Sequence, residues 1–157
     1  MASNPPQSAS AVFIPLQQLW ADNFLVYFKS HTFHFNVQGP TFGQDHALFQ
    51  EIYEYLWDQH DVLGEQIRQM DKPVLTSLKS VMSASSVDEV EHKVMDTKSM
   101  LTDMCEEFDE LIELAQSVYD RAESSGCGGL STTIGDYLKG INKLAWKVKA
   151  SLGRSIK

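Results

Sequence analysis

The sequence has little cysteine and no segment typical of secretion. Only two cysteines, Cys105 and Cys127, occur in 157 residues, which is too few for a disulfide framework. The first ten residues, MASNPPQSAS, lack the basic start and the apolar run of a signal peptide. We therefore expect a cytoplasmic protein in which both thiols stay reduced.

Proline is also scarce, and neither long apolar runs nor strand-like alternation occur. The five prolines stand at positions 5, 6, 15, 40 and 73, which leaves two long proline-free stretches. Both stretches carry apolar residues at helical spacing, so the sequence predicts an all-α fold. No apolar run approaches the length of a membrane span, and the hydrophobic content of 43% is enough for one sizeable core.

Positive charge is missing from the first part of the chain. No Lys or Arg precedes Lys29, and the net charge is −8. Between Val87 and Glu123 there are twelve acids and three bases, whereas six bases and no acids follow Asp136. An acidic protein attracts cations and repels nucleic acid, and bases at the end of a last helix suit its dipole. We therefore expect no DNA binding at physiological salt and no membrane partner.

The sequence pattern predicts a short tail followed by one helical domain. Residues 1–12 are expected to form a disordered tail, and residues 13–157 one bundle domain of four long helices. Capping-box patterns at Thr41–Gln44 and Ser86–Glu89 mark the expected starts of the second and third long helices. The expected helices are, approximately, residues 14–38, 41–70, 74–82 (a short helix in the connection), 86–123 and 131–152.

Side chains that bind transition metals are concentrated in the first two predicted helices. Imidazole nitrogen and carboxylate oxygen together are a ligand set for iron, manganese and zinc. The candidates are His31, His34, His46, Asp58, His60, Asp61 and Glu65. Asp61 and Glu65 lie four residues apart, so they share one face of a helix.

The separation of His46 from Asp61 limits how such a site can be built. They are fifteen residues apart on one helix, which is roughly 22 Å at the rise of an α-helix. Either they serve unrelated purposes, or a second copy of the chain, antiparallel about a twofold axis, brings its Asp61 and Glu65 to the His46 end of the first. Acid pairs at this spacing are also common on solvated faces, and a single helical histidine is commonly packed or capped. The residues alone leave these alternatives open.

Several segments resemble the Dps family of mini-ferritins in order and spacing. The segment Leu19–Gly39, LWADNFLVYFKSHTFHFNVQG, is similar to that family's first-helix pattern L..A..F.LY.K.H..HW.V.G. Phe42–Phe49, FGQDHALF, resembles its F..LH..F pattern, and Asp61–Glu65, DVLGE, resembles its D..AE pattern. The ending Trp146–Gly153 is similar to the family's closing W-M-L-x-A-x-L-G. The resemblance covers nearly the whole chain from Leu16.

The resemblance implies a ferritin-like four-helix bundle that assembles into a hollow dodecamer built from twofold dimers. It implies that His34 and His46 of one subunit, with Asp61 and Glu65 of its twofold mate, form a di-iron ferroxidase centre. Fe(II) and hydrogen peroxide are then the substrates, and ferric mineral is stored in the cavity. Zn(II) also suits imidazole, so a non-catalytic, zinc-buffering shell is an alternative. The charge disfavours a DNA-condensing nucleoid protein, and the histidine–carboxylate set disfavours a metal-free helical interaction module.

Two positions depart from the family pattern. Phe35 stands where Trp is usual, and phenyl gives up an electron less readily than indole. If a side chain quenches radicals formed at the site by giving up an electron, we therefore expect that side chain to be Trp57 or Tyr53. Gln50 stands where many relatives place an acid that helps a second iron, which favours a histidine-richer centre able to hold Zn(II). The sequence leaves open the roles of His31, His60 and Asp58.

Overall fold

The structure is built from helices. The computed structural model describes residues 7–89 and 95–153, and the secondary-structure elements within those ranges are all α-helices. In chain order they are α1 (Gln7–Asn36), α2 (Phe42–Gln69), α3 (Leu78–Ala84), α4 (Thr97–Ser124) and α5 (Gly128–Ser151). Four long helices with a short one between the second and third confirm the predicted all-α class. None of these described helices is long and apolar enough to cross a membrane.

The core lies between the four long helices. α1 packs mainly against α2, and α4 packs against α5, while α1 also contacts α4. Apolar side chains recur three or four residues apart on each helix, so that each helix buries one stripe. The largest fully buried side chains are Tyr137, Phe49, Phe108, Leu16, Leu19, Ile52, Leu56, Leu63, Ile67, Met100, Met104 and Leu111. Their packing fixes how α1 and α2 lie against each other, and these two helices carry the candidate metal ligands.

The first helix is longer than the sequence predicts. It begins at Gln7, seven residues before the expected start, and Pro15 lies inside it. A proline in a helix interior removes one backbone hydrogen bond, but Val12 and Leu16 on either side of it are completely buried. We attribute the continuation of the helix to that burial. The helix includes half of the expected tail, and the other half, residues 1–6, lies outside the described residues.

The start predicted for the third long helix is wrong. α4 begins at Thr97, and the Asp96 carboxylate caps it by accepting a hydrogen bond from the Ser99 backbone N at 3.0 Å. The predicted capping box, Ser86–Glu89, is not helical. The helical residues predicted between 90 and 94 lie outside the described residues.

A buried carboxylate on α1 explains why Ser86 does not cap a helix. Asp22 is 3% exposed and accepts hydrogen bonds from the Ser86 backbone N at 2.8 Å and from Ser86 Oγ at 2.9 Å. Ser85 Oγ donates to the same carboxylate at 2.5 Å. These bonds hold Ser85 and Ser86, which follow α3, against α1 in a non-helical conformation.

The second helix starts where predicted but through different bonds. Thr41 is its N-cap residue, yet its side chain makes no capping hydrogen bond. The backbone N atoms of Gln44 and Asp45 instead donate to the Thr41 carbonyl oxygen, each at 3.0 Å. The position of the helix start was therefore correct, and the capping-box chemistry was not.

A chain of polar contacts crosses the interior and links α1, α2 and α5. Asn23 Nδ2 donates to the Leu56 carbonyl at 2.8 Å, and Tyr137 Oη donates to Asn23 Oδ1 at 3.2 Å. Tyr55 Oη donates to the Tyr137 carbonyl at 2.8 Å. Burial raises the pKa of both phenols, Tyr55 and Tyr137, so they remain protonated donors.

Candidate metal centre

His34 near the end of α1 and His46 near the start of α2 each bind the other's backbone. His34 Nδ1 lies 2.9 Å from the His46 carbonyl oxygen, and His46 Nδ1 lies 2.8 Å from the His34 carbonyl oxygen. Their rings stack with centroids 3.6 Å apart. The reciprocal bonds join the two helices directly beside the turn that connects them.

These bonds fix the tautomer of both imidazoles. A carbonyl oxygen only accepts hydrogen bonds, so each Nδ1 must carry the proton. Nε2 of each neutral ring is then the nitrogen with a lone pair, which is the form of imidazole that binds a metal ion. A hydrogen bond from the other ring nitrogen to a carbonyl is a common support for a metal-binding histidine. The pair can therefore supply two imidazole nitrogens, Nε2 of His34 and Nε2 of His46, to a metal ion.

Aromatic side chains lie against the pair, and His34 has little contact with water. His34 is 8% exposed, and the Tyr53 and Phe35 rings meet it edge-on with centroids at 5.1 and 5.6 Å. Phe42 stacks on His46 at 4.9 Å. An apolar surround strengthens electrostatic interactions with a bound cation, and it also restricts the orientations of the two imidazoles.

Asp61 and Glu65 lie elsewhere, on the exposed surface of the second half of α2. They share one face of the helix, as their spacing predicts. Along the axis they are roughly 22 Å or more from His46. Within the described ranges, no group of three or more His, Cys, Asp or Glu side chains is arranged to hold a metal ion. One chain therefore brings His34 and His46 together, but it does not bring the two acids to them.

The remaining candidates lie in three different environments. His31 stacks on Tyr53 with ring centroids 4.0 Å apart. His60 stacks on Trp20 at 4.3 Å, and burial lowers the pKa of His60, which keeps it neutral. Asp58 is exposed on α2. His60 is accordingly a packed histidine, away from the His34 and His46 pair.

The sequence reasoning did not single out Tyr27, which joins this region. Tyr27 Oη lies 3.3 Å from His31 Nδ1, and its ring lies 5.2 Å from the Trp57 ring. Tyr27 precedes His31 by four residues, so the two share a face of α1. This four-residue spacing is the sequence feature from which the contact between Tyr27 and His31 could have been predicted.

Known proteins with similar sequences and folds match the chain over nearly its whole length. The profile of the ferritin-like domain family matches residues 15–155. The DNA protection during starvation protein of Helicobacter pylori strain J99 is 29% identical over 137 residues, which cover 87% of this chain and 95% of that relative. The crystal structure of antigen TpF1 from Treponema pallidum is similar with a TM-score of 0.90 at 25% identity, covering 97% of this chain and 98% of that one. The Dps protein of Vibrio cholerae O1, described as a member of a broad superfamily of ferritin-like diiron-carboxylate proteins, gives 0.89 at 26% identity with the same coverage. The chain therefore belongs to the ferritin-like domain family and, within it, to the Dps mini-ferritins.

Proposed function

We propose that this protein stores and detoxifies iron by oxidising Fe(II) at sites shared between two subunits. The observation that carries the proposal is the division of candidate ligands along α2. His34 and His46 are fixed at one end of α2 by their reciprocal bonds, while Asp61 and Glu65 are exposed towards the other. An antiparallel twofold pair of α2 helices brings each histidine pair beside the partner's acids and creates two equivalent sites.

The side of the bundle around the histidine pair carries the apolar surface that such a dimer needs. Phe28, Phe35 and Trp57 are 53%, 69% and 55% exposed. Phe35 stacks on His31 at 4.7 Å, and Trp57 lies 5.2 Å from Tyr27. Exposed apolar side chains grouped in this way mark an interaction surface. We assign a second copy of the chain to this face because the site that it borders is incomplete without one.

The proposed donor set suits the oxidation of iron. Carboxylates of Asp61 and Glu65 bind Fe(III) more strongly than Fe(II), because hard oxygen donors favour the higher charge. His34 and His46 complete the set with neutral nitrogen donors. With hydrogen peroxide as the oxidant, two Fe(II) give one electron each, the O–O bond breaks, and two protons complete two water molecules. In this proposal the ferric ions hydrolyse and are stored as mineral inside a cytoplasmic dodecamer.

The charges favour cations over nucleic acid as partners. Lysines on α5 lie beside acids: Lys147 Nζ is 2.5 Å from Glu51 Oε1, and Lys149 Nζ is 2.7 Å from Asp109 Oδ1. With a net charge of −8, the chain repels phosphate groups. The proposal therefore excludes direct DNA binding at physiological salt, even though the name of the Helicobacter relative refers to DNA protection.

Complementation between two defective variants tests the shared site. One variant carries His34→Ala with His46→Ala, and the other carries Asp61→Asn with Glu65→Gln. Each alone is expected to lose peroxide-dependent Fe(II) oxidation, because every site lacks half of its ligands. When the two chains are co-expressed, half of the dimers are mixed and each mixed dimer has one complete site, so about a quarter of wild-type activity returns.

The control is each variant co-expressed with a second, differently tagged copy of itself, which restores nothing. A mixed sample that stays inactive although mixed dimers are isolated by their two tags contradicts the shared site. Activity retained by either variant alone shows that its substituted residues are not the ligands.

Zinc binding without oxidation is the second candidate function, and the two fixed imidazoles favour it. Gln50 supplies no negative charge near the site, and its Nε2 donates to Glu54 Oε1 at 2.8 Å. The rate of Fe(II) oxidation after peroxide is added to the wild-type protein separates the candidates. A protein that binds Zn(II) through His34 and His46 but does not accelerate oxidation is a zinc buffer.

A further inference from the structure

A row of rings leads from the histidine pair towards the acidic end of α2. The Tyr53 ring lies 5.1 Å from that of His34 and 4.0 Å from that of His31. The His31 ring lies 5.7 Å from that of Tyr27, which lies 5.2 Å from that of Trp57. We name Tyr53, His31, Tyr27 and Trp57 the aromatic row. The centroids of neighbouring rings in the row are 4.0 to 5.7 Å apart, so the rings form one continuous series.

The two ends of the aromatic row belong to different sites of the proposed dimer. Tyr53 contacts His34, which is a ligand of one site. Trp57 precedes Asp61 by one helical turn, and both line one surface depression with Asp58. Trp57 therefore lies beside the acid that the chain gives to the other site. This argument rests on the proposed function, since only the twofold dimer has two such sites.

We propose that, when each site holds a single Fe(II), the aromatic row carries electrons between the two sites of a dimer, so that two irons held far apart reduce one peroxide molecule. Phenol and indole rings give up and regain single electrons more readily than phenyl or aliphatic side chains. The Tyr27 hydroxyl lies within hydrogen-bond distance of His31 Nδ1. A packing role requires only the rings, whereas electron transfer through tyrosine requires the hydroxyl. This difference makes the proposal testable.

The reaction balances with Fe(II) and hydrogen peroxide alone. Fe(II) at the first site gives one electron to peroxide, and the O–O bond breaks into hydroxide and a hydroxyl radical. The radical takes the hydrogen atom of the Tyr53 hydroxyl and becomes water. An electron then passes along the aromatic row from Fe(II) at the second site, and a proton from solvent restores the phenol. A second proton from solvent converts the hydroxide to water. The sum is two Fe(II), one peroxide and two protons giving two Fe(III) and two waters.

The test uses the assembled full-length protein, loaded without oxygen with one Fe(II) per site and then given one peroxide for every two irons. Tyr53→Phe and Tyr27→Phe keep the rings and remove one hydroxyl each. Tyr119→Phe, on α4 and outside the aromatic row, is the matched control. Freeze-quench electron paramagnetic resonance follows protein radicals, a spin trap collects hydroxyl radical, and calorimetry measures Fe(II) binding.

The two row variants are expected to differ from each other. Tyr53→Phe binds Fe(II) as the wild type does, loses the early tyrosyl signal and releases several-fold more trapped hydroxyl radical per peroxide. Tyr27→Phe forms the Tyr53 radical, but the radical decays several-fold more slowly because the path to the second iron is cut. Tyr119→Phe behaves as the wild type.

Hydroxyl-radical yields and radical lifetimes that are equal in the wild type and both row variants overturn the relay while leaving the shared site in place. A wild-type protein that binds Fe(II) but does not oxidise it, or that does not bind it, contradicts the proposed function itself. The Fe(II)-binding measurement thus separates failure of the site from failure of the relay.

Discussion

At the scale of single residues, Gly140 makes possible a close contact between α2 and α5. A Cβ atom placed on Gly140 would overlap the Tyr55 phenol ring and its hydroxyl. The Tyr55 hydroxyl donates to the Tyr137 carbonyl at 2.8 Å, so the ring cannot move aside without losing this bond. The absence of a side chain at position 140 therefore sets the distance between α2 and α5.

Gly140→Ala is expected to lower the free energy of unfolding by about 1–3 kcal/mol, because the added methyl overpacks the contact with Tyr55. Gly135→Ala is the matched control on the same helix. Its Cβ would lie 3.6 Å from Tyr119 Cε2, an ordinary contact, so it should instead gain about 0.5–1 kcal/mol of helix propensity. Urea unfolding followed by circular dichroism measures the free energy of unfolding of both variants. A Gly140→Ala variant as stable as Gly135→Ala would show that the Tyr55 ring moves aside freely.

The residues of the candidate site were only partly predictable from the sequence. The resemblance to the Dps family implied that His34 and His46 belong to one site, whereas the residues alone left this open. Their reciprocal backbone bonds could not be predicted, because these depend on the angle at which α1 meets α2. That angle depends on how buried core side chains such as Phe49 and Leu56 pack, which local sequence patterns do not give.

At the scale of helices, Lys29 joins α1 to α4 in a largely buried contact. Its Nζ lies 3.3 Å from Asp103 Oδ2 and contacts Glu107 Oε1, and the Lys29 and Glu107 side chains are each 11% exposed. Burial, the largest single effect, lowers the pKa of Lys29, but the two carboxylates together raise it above its ordinary value of 10.5. Burial raises the pKa of Glu107 above 4.5, and Lys29 opposes that rise only in part.

The sign of each pKa shift gives the pH dependence of this contact. The raised pKa of Lys29 means that its contribution to stability is complete below pH 10.5 and is lost as the pH rises further. The raised pKa of Glu107 means that its contribution is complete below pH 4.5 and is lost as the pH rises through the higher value in the folded protein. Lys29 therefore favours the charged form of Glu107 and opposes the effect of burial.

Lys29→Met is expected to destabilise the protein at neutral pH by about 3 kcal/mol, because two neighbouring carboxylates lose their cation. The loss should shrink as the pH falls towards the raised pKa of Glu107, since protonation then removes the repulsion. Lys139→Met is the control. It breaks a pair with Asp136 that is 81% and 69% exposed, and should cost less than about 0.5 kcal/mol. Urea unfolding of both variants at neutral and mildly acidic pH measures the difference, and a pH-independent loss would contradict this account.

Helix boundaries were less predictable than the existence of the helices. The start of α4 was misplaced because Ser86 is bonded to Asp22, which is sixty-four residues away in sequence, and local patterns carry no such information. The start of α1 was misplaced because residues 1–12 were expected to form a disordered tail, whereas the helix continues through Pro15 and buries Val12. Both errors arise from tertiary contacts that override local preferences.

At the scale of the whole molecule, three exposed apolar side chains mark the face that the proposed dimer buries. Phe28, Phe35 and Trp57 contribute little to the core of one bundle, since more than half of each side chain remains accessible. In the proposed dimer they become interior, and aromatic anchors of this kind provide much of the affinity of an interface. Assembly and iron oxidation should therefore be lost together.

Phe28→Glu is expected to produce a folded monomer that does not oxidise Fe(II), although Phe28 is not one of the proposed ligands. Burying two like charges in place of two rings should cost about 2 kcal/mol or more for each copy. Phe28→Leu, which keeps an apolar side chain, should still assemble. Light scattering after size-exclusion chromatography gives the oligomeric state, and circular dichroism reports the helical content. A Phe28→Glu dimer with full activity would place the interface on another face.

The reciprocal hydrogen bonds of His34 and His46 also bear on when, after synthesis, the proposed oxidation of iron can begin. In the proposed arrangement, a newly synthesised chain carries its imidazoles already oriented, yet its ligand set is completed only when another chain docks. Because docking follows mass action, the threshold for catalysis is set by protein concentration. In the proposed arrangement, a cell that makes only a few copies thus avoids generating oxidants on stray subunits, and reactivity appears together with the compartment that contains its product.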